Sequence, residues 1–222
     1  MAGPAENQLR RRVTRSKSLH YIIRVFGRAK VTRLMQDEIL EFWFGRPGTT
    51  DYGSTRNVWF RKDSAFDAAI RERFGAAIET ALSGGFADWS SARGTLARIV
   101  VLDQFTRNAF RDTPRAFAGD ALALKLAGVA IARGDDDKLI PVERWFMYLP
   151  FVHAESTSAQ QRGLELFRRL LDEAGLADPL KWAERHAAVI RLFGRFPHRN
   201  AILGRESTAE EIAFLAAPGS RF

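Results

Sequence analysis

The chain has 222 residues, of which 46% are apolar, 11% aromatic and 27% charged, the balance of one good-sized globular domain with a substantial core. It has no cysteine, which excludes disulfides, thiolate metal sites and a Cys nucleophile, and no apolar run approaches the roughly 18 residues of a membrane span. The formal net charge is +8, yet residues 1–36 hold nine basic residues against the single acid Glu6, and the other 186 residues hold 25 of each sign. The basicity belongs to a tail, so the neutral body is not expected to bind nucleic acid.

The segment from Met1 to about Leu34 is Arg-rich and acid-poor, with a short apolar patch at Leu19–Ile23. Three readings compete: a transit-type targeting segment, a basic arm for nucleic acid or anionic lipid, and an upstream start with Met35 as the working one. The third is favoured, because Met35 stands directly before a strongly patterned helix. The chain is therefore divided into a basic extension, 1–34, disordered or wrongly started, and a single helical domain, 35–222. No secretory signal is visible, and a cytoplasmic location is expected.

From Asp37 onward the pattern is helical. Ile39, Leu40, Trp43 and Phe44 share one apolar face, and Gly45, Pro47 and Gly48 stop that helix. A polar loop runs to Asn57. Phe66, Ile70, Phe74 and Ile78 mark a second helix, which ends at Gly84-Gly85. Trp89 lies in the connection to a third, Leu96 to Arg111. Thr113-Pro114 restarts the chain, and a helix runs from Ala116 to Arg133, closed by Gly134 and the acidic turn Asp135–Asp137. Pro141 opens an aromatic-rich helix that Pro150 is expected to interrupt. Ala159 to Ala174 is amphipathic and closed by Gly175. Asp178-Pro179 caps the next helix, which extends to about Phe196 and is broken by Pro197. Ser207 or Thr208 caps a last short helix with Glu210 and Glu211 in its first turn. No segment alternates with period two for long. The expectation is an all-α fold of seven or eight helices, paired antiparallel and stacked as a bundle or short array, although no clean repeat is visible.

Three polar groups stand out. Asp103 to Arg111, DQFTRNAFR, follows a wholly apolar turn and spaces Asp103 with Arg107, and Gln104 with Asn108, at i, i+4. Its bland reading is an intrahelical ion pair worth about 0.3–0.5 kcal/mol on a solvated face. His153 and Glu155 follow Pro150: His153 is a candidate general base and Glu155 its orienter, or else Glu155 and Ser156 merely cap the next helix. The run from His186 to Asn200 crowds Arg195, His198, Arg199 and Asn200 around a Phe-Pro hinge. Buried cations of this kind require acidic partners or an anionic ligand. His153, Glu155, His186 and His198 match zinc or iron in ligand type, but their spacing is wide and Arg195 and Arg199 oppose a dication, so neither metal nor cofactor is expected. Ser156 lies near His153, yet there is no G-x-S-x-G elbow and no glycine-rich phosphate loop.

Taken together, ILEFWFG at 39–45, W-F-x-K-D at 59–63, LDQFTRNAFR at 102–111, FMYLPFVHAES at 146–156 and FGRFPHRNAILGRES at 193–207 resemble the bacterial family catalogued as domain of unknown function 924. The resemblance implies an all-helical, tetratricopeptide-like fold over about residues 37–215 and no assigned activity. Thr106 stands where the family often has Pro, and Ala154 where it often has Ser. The polar signature it implies is Asp103, Gln104, Arg107, Asn108, Arg111, His153, Glu155, His186, Arg195, His198, Arg199, Asn200 and Arg205.

The leading expectation is a helical protein whose cleft binds an anionic small molecule or an acidic or carboxylate-terminated peptide. Arg107, Arg195 and Arg199 are its clamps, with Gln104 and Asn200 as orienters and Asn108, Arg111, His186 and Arg205 completing the ligand set. The rival is a hydrolase or lyase with His153 or His198 as acid–base, Glu155 or Asp103 as orienter and the arginines as anion stabilisers. A third reading makes the cluster a closed structural ion network.

Overall fold

The structure, a computed structural model, describes residues 28–218 and Ser220. Expectations for residues 1–27, including the apolar patch at Leu19–Ile23, lie outside the described residues. The first helix, α1 (Arg28–Phe44), starts nine residues before the predicted Asp37 and runs unbroken through Met35. No Gly or Pro interrupts Arg28–Glu38, and Ala29, Lys30, Leu34, Met35 and Gln36 are strong helix formers.

The remaining helices are α2 (Ser64–Leu82), α3 (Ala92–Ile99), α4 (Thr106–Ala109), α5 (Asp120–Ala132), α6 (Pro141–His153), α7 (Thr157–Ala174), α8 (Ala177–Phe193) and α9 (Ala209–Ala216). A π-helical segment, Val100–Phe105, joins α3 to α4 without a break, so the described residues form eight helical rods and no strand. Caps explain the starts. Asp63 accepts from the Ala65 and Phe66 N–H groups, Ser91 from Gly94 and Thr208 from Glu211, each worth about 1 kcal/mol. Gly175 and Gly194 close α7 and α8 in the left-handed conformation.

Three predicted boundaries move. Pro150 does not interrupt α6. It sits inside the last turn, and the helix continues to His153 because Phe151 and Val152 are buried and Gln160 Nε2 donates to the Val152 and Ala154 carbonyls at the helix end. Helix α8 stops at Phe193, where Gly194 turns the chain, so Phe196 lies outside it and Pro197 opens a separate 3₁₀ turn, Pro197–Arg199. Asp178 and Pro179 lie within the first turn of α8 and do not precede it.

The core is aromatic. Trp43 on α1 meets Phe105 and Phe146 edge-on at centroid separations of 5.7 and 5.5 Å, which ties the first helix to the π-helical segment and to α6. Helices α6, α7 and α8 pack consecutively as antiparallel neighbours through short connections. A smaller cluster of Val189, Ile190 and Phe196 holds α8 to the C-terminal turn, with Phe193 and Phe214 against it. No helix among the described residues is long and apolar enough to cross a membrane.

Candidate functional site

The site begins with the π-helical segment. Its wider turn sends the Thr106 N–H five residues back to the Val101 carbonyl. The Leu102 carbonyl accepts from the Thr106 hydroxyl at 2.6 Å, and the Asp103 carbonyl from Arg107 Nη1 at 2.6 Å. Short π segments of this kind recur at functional positions, where they re-aim a helix face. Here the re-aimed carboxylate is Asp103, fully buried, which meets His153 Nδ1 through Oδ1 at 2.7 Å and takes a short hydrogen bond from the Gln104 amide. Burial alone would raise the Asp103 carboxyl, but Arg107 and His153 outweigh it and hold the group far below the usual carboxylate range. Burial pushes His153 the other way, below an ordinary histidine, so its ring is neutral at pH 7. With the Nδ1 proton donated to Asp103, the Nε2 lone pair is the one left for the cavity beside it.

Arg107 is the centre of the inner wall. Its fork closes on Asp120, Nη1 to Oδ1 and Nη2 to Oδ2 both at 2.9 Å, while Nη1 also reaches Asp103 Oδ1 at 3.1 Å. Gly119 makes this possible: a Cβ there would overlap the Leu102 carbonyl, whose carbon lies 2.8 Å from where it would sit, and only glycine lets the start of α5 come so close. Arg111 is similarly engaged, bidentate with Asp67 at 2.8 and 2.9 Å, and Asn108 Nδ2 donates to Asp67 at 2.7 Å.

Arg199 differs. It is buried, and its guanidinium lies between two phenyl rings, 4.6 Å from the Phe117 centroid and 4.5 Å from Phe196. Among the described residues it makes one long hydrogen bond, Nη1 to Asp120 Oδ2 at 3.4 Å, and that oxygen already serves Arg107. Its Nε is buried without a hydrogen-bond partner. Burial, and then the charge of Arg107, lower its pKa to about 10, so it stays charged at neutral pH with its donors under-used.

These groups bound a cavity of about 540 Å³. Its polar lining is Gln104, Arg107, Asn108, Arg111, His153 and Arg199, with His186 and His198 from α8 and the 3₁₀ turn. Its apolar lining includes Trp59, Phe60, Trp145, Phe146, Leu149 and Trp182, with Trp145 and Leu149 two turns and one turn before His153 on α6 and Trp182 one turn before His186 on α8. The loop that brings Trp59 in is anchored on the end of α1, where Arg56 Nη1 donates to the Phe42 and Trp43 carbonyls at 2.7 Å and Trp59 Nε1 to Trp43 at 3.0 Å. His186 sits 6.0 Å from His153, ring to ring, and burial, then the neighbouring His153, push its pKa down to about 3.

Eight of the thirteen sequence-selected residues therefore line one cavity, and Asp103 stands directly behind it. The other four gather elsewhere. Glu155 has no hydrogen bond to His153. It takes Arg205 Nη1 and Nη2 at 2.6 and 2.9 Å and the Phe196 N–H at 2.8 Å. Arg195 closes a fork on Glu211 at 2.7 and 2.8 Å, and Asn200 bridges the pairs by donating to Glu211 and accepting from Arg205 Nε, both at 3.0 Å. This second network fixes the C-terminal turn onto α9 and the end of α6. Ser156, not Glu155, caps α7. Sequence reasoning missed Asp120, Asp67 and Phe117, which no local pattern marks. It passed over Trp59 and Phe60 as site residues although the W-F-x-K-D motif contains them. Among the described residues no group of three or more His, Asp or Glu side chains is gathered as metal ligands would be.

An all-helical domain with a polar, histidine- and arginine-walled cavity closed by aromatic rings is the class that fold and site define. The chain belongs to the family described as bacterial protein of unknown function (DUF924), whose profile matches residues 39–219. It is similar to the solved structure of a protein of unknown function, ATU0120, from Agrobacterium tumefaciens, at 39% identity and a TM-score of 0.74, over 83% of this chain and 98% of that one. No curated protein matches it.

Proposed function

We propose that the cavity binds a small organic anion, with Arg199 as its principal cation. The observation that carries this reading is the state of Arg199: charged, buried between Phe117 and Phe196, with its Nε unpartnered and its one carboxylate shared. Arg98, Arg144 and Arg169 also hold a buried guanidinium nitrogen without a hydrogen-bond partner, but of the four only Arg199 lines the cavity, and a closed structural network would leave no void beside it. That description fits Glu155, Arg195, Asn200 and Arg205 instead. A cavity of about 540 Å³ suits a small molecule better than a peptide, which needs a groove tens of ångströms long. Arg107 and Arg111, each forked onto a carboxylate, set the position and field of the site while Arg199 takes the ligand.

Calorimetric titration with acetate, benzoate and inorganic phosphate, on wild type and Arg199→Gln, tests this. We expect at least one anion to bind, the variant to weaken it by tenfold or more, and the variant's unfolding free energy to stay within about 1 kcal/mol of wild type. An unchanged affinity, or a stability loss of roughly 3–5 kcal/mol, refutes the assignment.

The Asp103–His153 pair supports a second reading, an acid–base site for a hydrolase- or lyase-type reaction on the bound anion. Asp103 orients the ring, and neutral His153 accepts the proton at Nε2. Turnover that rises as His153 loses its proton and disappears in His153→Gln is the expected signature. Turnover indifferent to that change removes His153 from the role.

A further inference from the structure

We infer that the anion is an aryl monocarboxylate: a flat aromatic body carrying one negative charge. This rests on the anion-binding reading above and adds what the ligand must look like.

The polar and apolar linings supply the two parts. In the apolar lining, Phe60 stacks on Trp145 with centroids 5.5 Å apart and planes 23° from parallel, and Trp59 meets Trp145 edge-on at 6.3 Å. Trp145 is buried, but Phe60 is 56% exposed and Trp182, also in the lining, is 42% exposed. Large rings left in water on the rim of a cavity are surface that a flat apolar ligand removes from solvent, and aromatic pairs gain further from offset or edge-on contact. The guanidinium itself rests on Phe117, so the apolar lining continues beneath the charged group. A ligand with a ring against Phe60 and Trp182 and its acid at Arg199 uses the apolar and the polar lining at once. Acetate uses only the polar one.

The charge count selects a single negative charge. On the inner wall two guanidinium groups, Arg107 and Arg199, face two carboxylates, Asp103 and Asp120, and burial keeps His153 and His186 neutral. Further out, Arg111 is matched by Asp67 and Lys62 by Asp112, while exposed Arg61 lines the cavity with no ion pair among the described residues, so the lining with its carboxylate partners carries one net positive charge. One added carboxylate balances that charge and finds the under-used donors of Arg199. A phosphate dianion adds twice the charge beside Asp103 and Asp120, where like charges repel. The planar fork of Arg199 also matches the planar carboxylate.

The experiment is calorimetric titration of the full chain with 2-naphthoate, acetate and 2-naphthyl phosphate at pH 7.5, repeated on Trp182→Ala, Phe60→Ala and Arg199→Gln. Phe60 and Trp182 are exposed enough for alanine to leave the fold intact, which circular dichroism verifies. We expect 2-naphthoate to bind at least about thirtyfold more tightly than acetate, roughly 2 kcal/mol, and at least tenfold more tightly than 2-naphthyl phosphate. Trp182→Ala and Phe60→Ala should each weaken 2-naphthoate about fivefold or more and leave acetate unchanged. Acetate binding as well as 2-naphthoate overturns the aryl inference but leaves the anion site standing. 2-Naphthyl phosphate binding more tightly than 2-naphthoate overturns the single-charge argument. Failure of all three ligands overturns the anion site itself, and this proposal with it.

Discussion

Glu155→Gln separates the two polar networks. In the sequence Glu155 is two residues from His153 and reads as its orienter. In the structure its carboxylate points away, into Arg205 Nη1 and Nη2 and the Phe196 N–H. Burial would raise its pKa, but the Arg205 and Phe196 hydrogen bonds outweigh that and lower it. Glutamine keeps the volume and one acceptor but turns an NH₂ toward a donor and removes the charge. Charge-assisted bonds of this type contribute about 1.5–3 kcal/mol each when buried. Glu155 and Arg205 keep 24% and 25% of their side-chain surface, so water screens part of that, and the net loss is about 2–3 kcal/mol. For a chain of this size the loss lowers the Tm by roughly 4–12 °C. Because the folded pKa lies below the unfolded 4.5, the stabilisation is present above that pH and is lost as pH falls through the folded value, so the wild-type and variant curves should converge in acid. Urea unfolding followed by circular dichroism at pH 7 and pH 4 reads all of this, and benzoate affinity should change less than about threefold. A stability loss under about 0.5 kcal/mol combined with a tenfold loss of benzoate affinity would refute the reasoning and return Glu155 to the cavity.

Three further outcomes follow from the same geometry. Asp120→Asn deprives Arg107 of its fork and Arg199 of its one ion pair, so stability should fall by about 2–4 kcal/mol in urea while benzoate binds more tightly to the freed Arg199. Weaker binding would show that Asp120 positions Arg199 rather than competing for it. Gly119→Ala drives a Cβ into the Leu102 carbonyl and should cost about 2 kcal/mol or more, whereas Gly128→Ala, inside α5 with open space around its Cβ, should stabilise by about 0.5–1 kcal/mol, both read by thermal unfolding. His186, lowered to about 3 in the folded chain against 6.5 when exposed, binds fewer protons folded than unfolded. Its contribution is therefore complete above pH 6.5 and declines below it by up to about 1.4 kcal/mol per pH unit, a slope that His186→Gln should remove between pH 6 and 4.5.

The helices were legible because their signals are local. Apolar spacing placed Ile39, Trp43, Phe66 and Phe74 on core faces, and Gly175 and Thr208 sit where caps belong. Pro150 misled because a proline costs only one ladder bond in a final turn, and a side chain from the next helix, Gln160, satisfies the carbonyls at that end. The cavity was legible in part, since a run such as Asp103-Gln104 before Arg107-Asn108 joins abruptly to an apolar turn. What sequence spacing cannot carry is the direction in which each charge finds its partner. Arg107 lies four residues after Asp103, and that helical pair forms at 3.1 Å, but its fork also closes on Asp120 across an interhelical contact that only Gly119 permits. Glu155 lies beside His153 in sequence and across a helix end from it in space.

That difference in direction links the two networks. Gly194 and Pro197 throw the chain out of α8 into a turn too short to have a core of its own. Glu155, Arg195, Arg205, Asn200 and Glu211 hold that turn by closing their forks on one another, and none of them lines the cavity. The turn in turn delivers Arg199 between Phe117 and Phe196, where it arrives late to a carboxylate already taken by Arg107. Under the anion-binding proposal, a site that grips an anion keeps a cation under-partnered, whereas a turn held by ion pairs does not. The chain separates the two: forks closed on carboxylates hold the turn, and the under-partnered Arg199 lines the cavity. The same separation explains why, of the three clamps expected from the sequence, Arg107 and Arg195 are forked onto Asp120 and Glu211 and Arg199 is not.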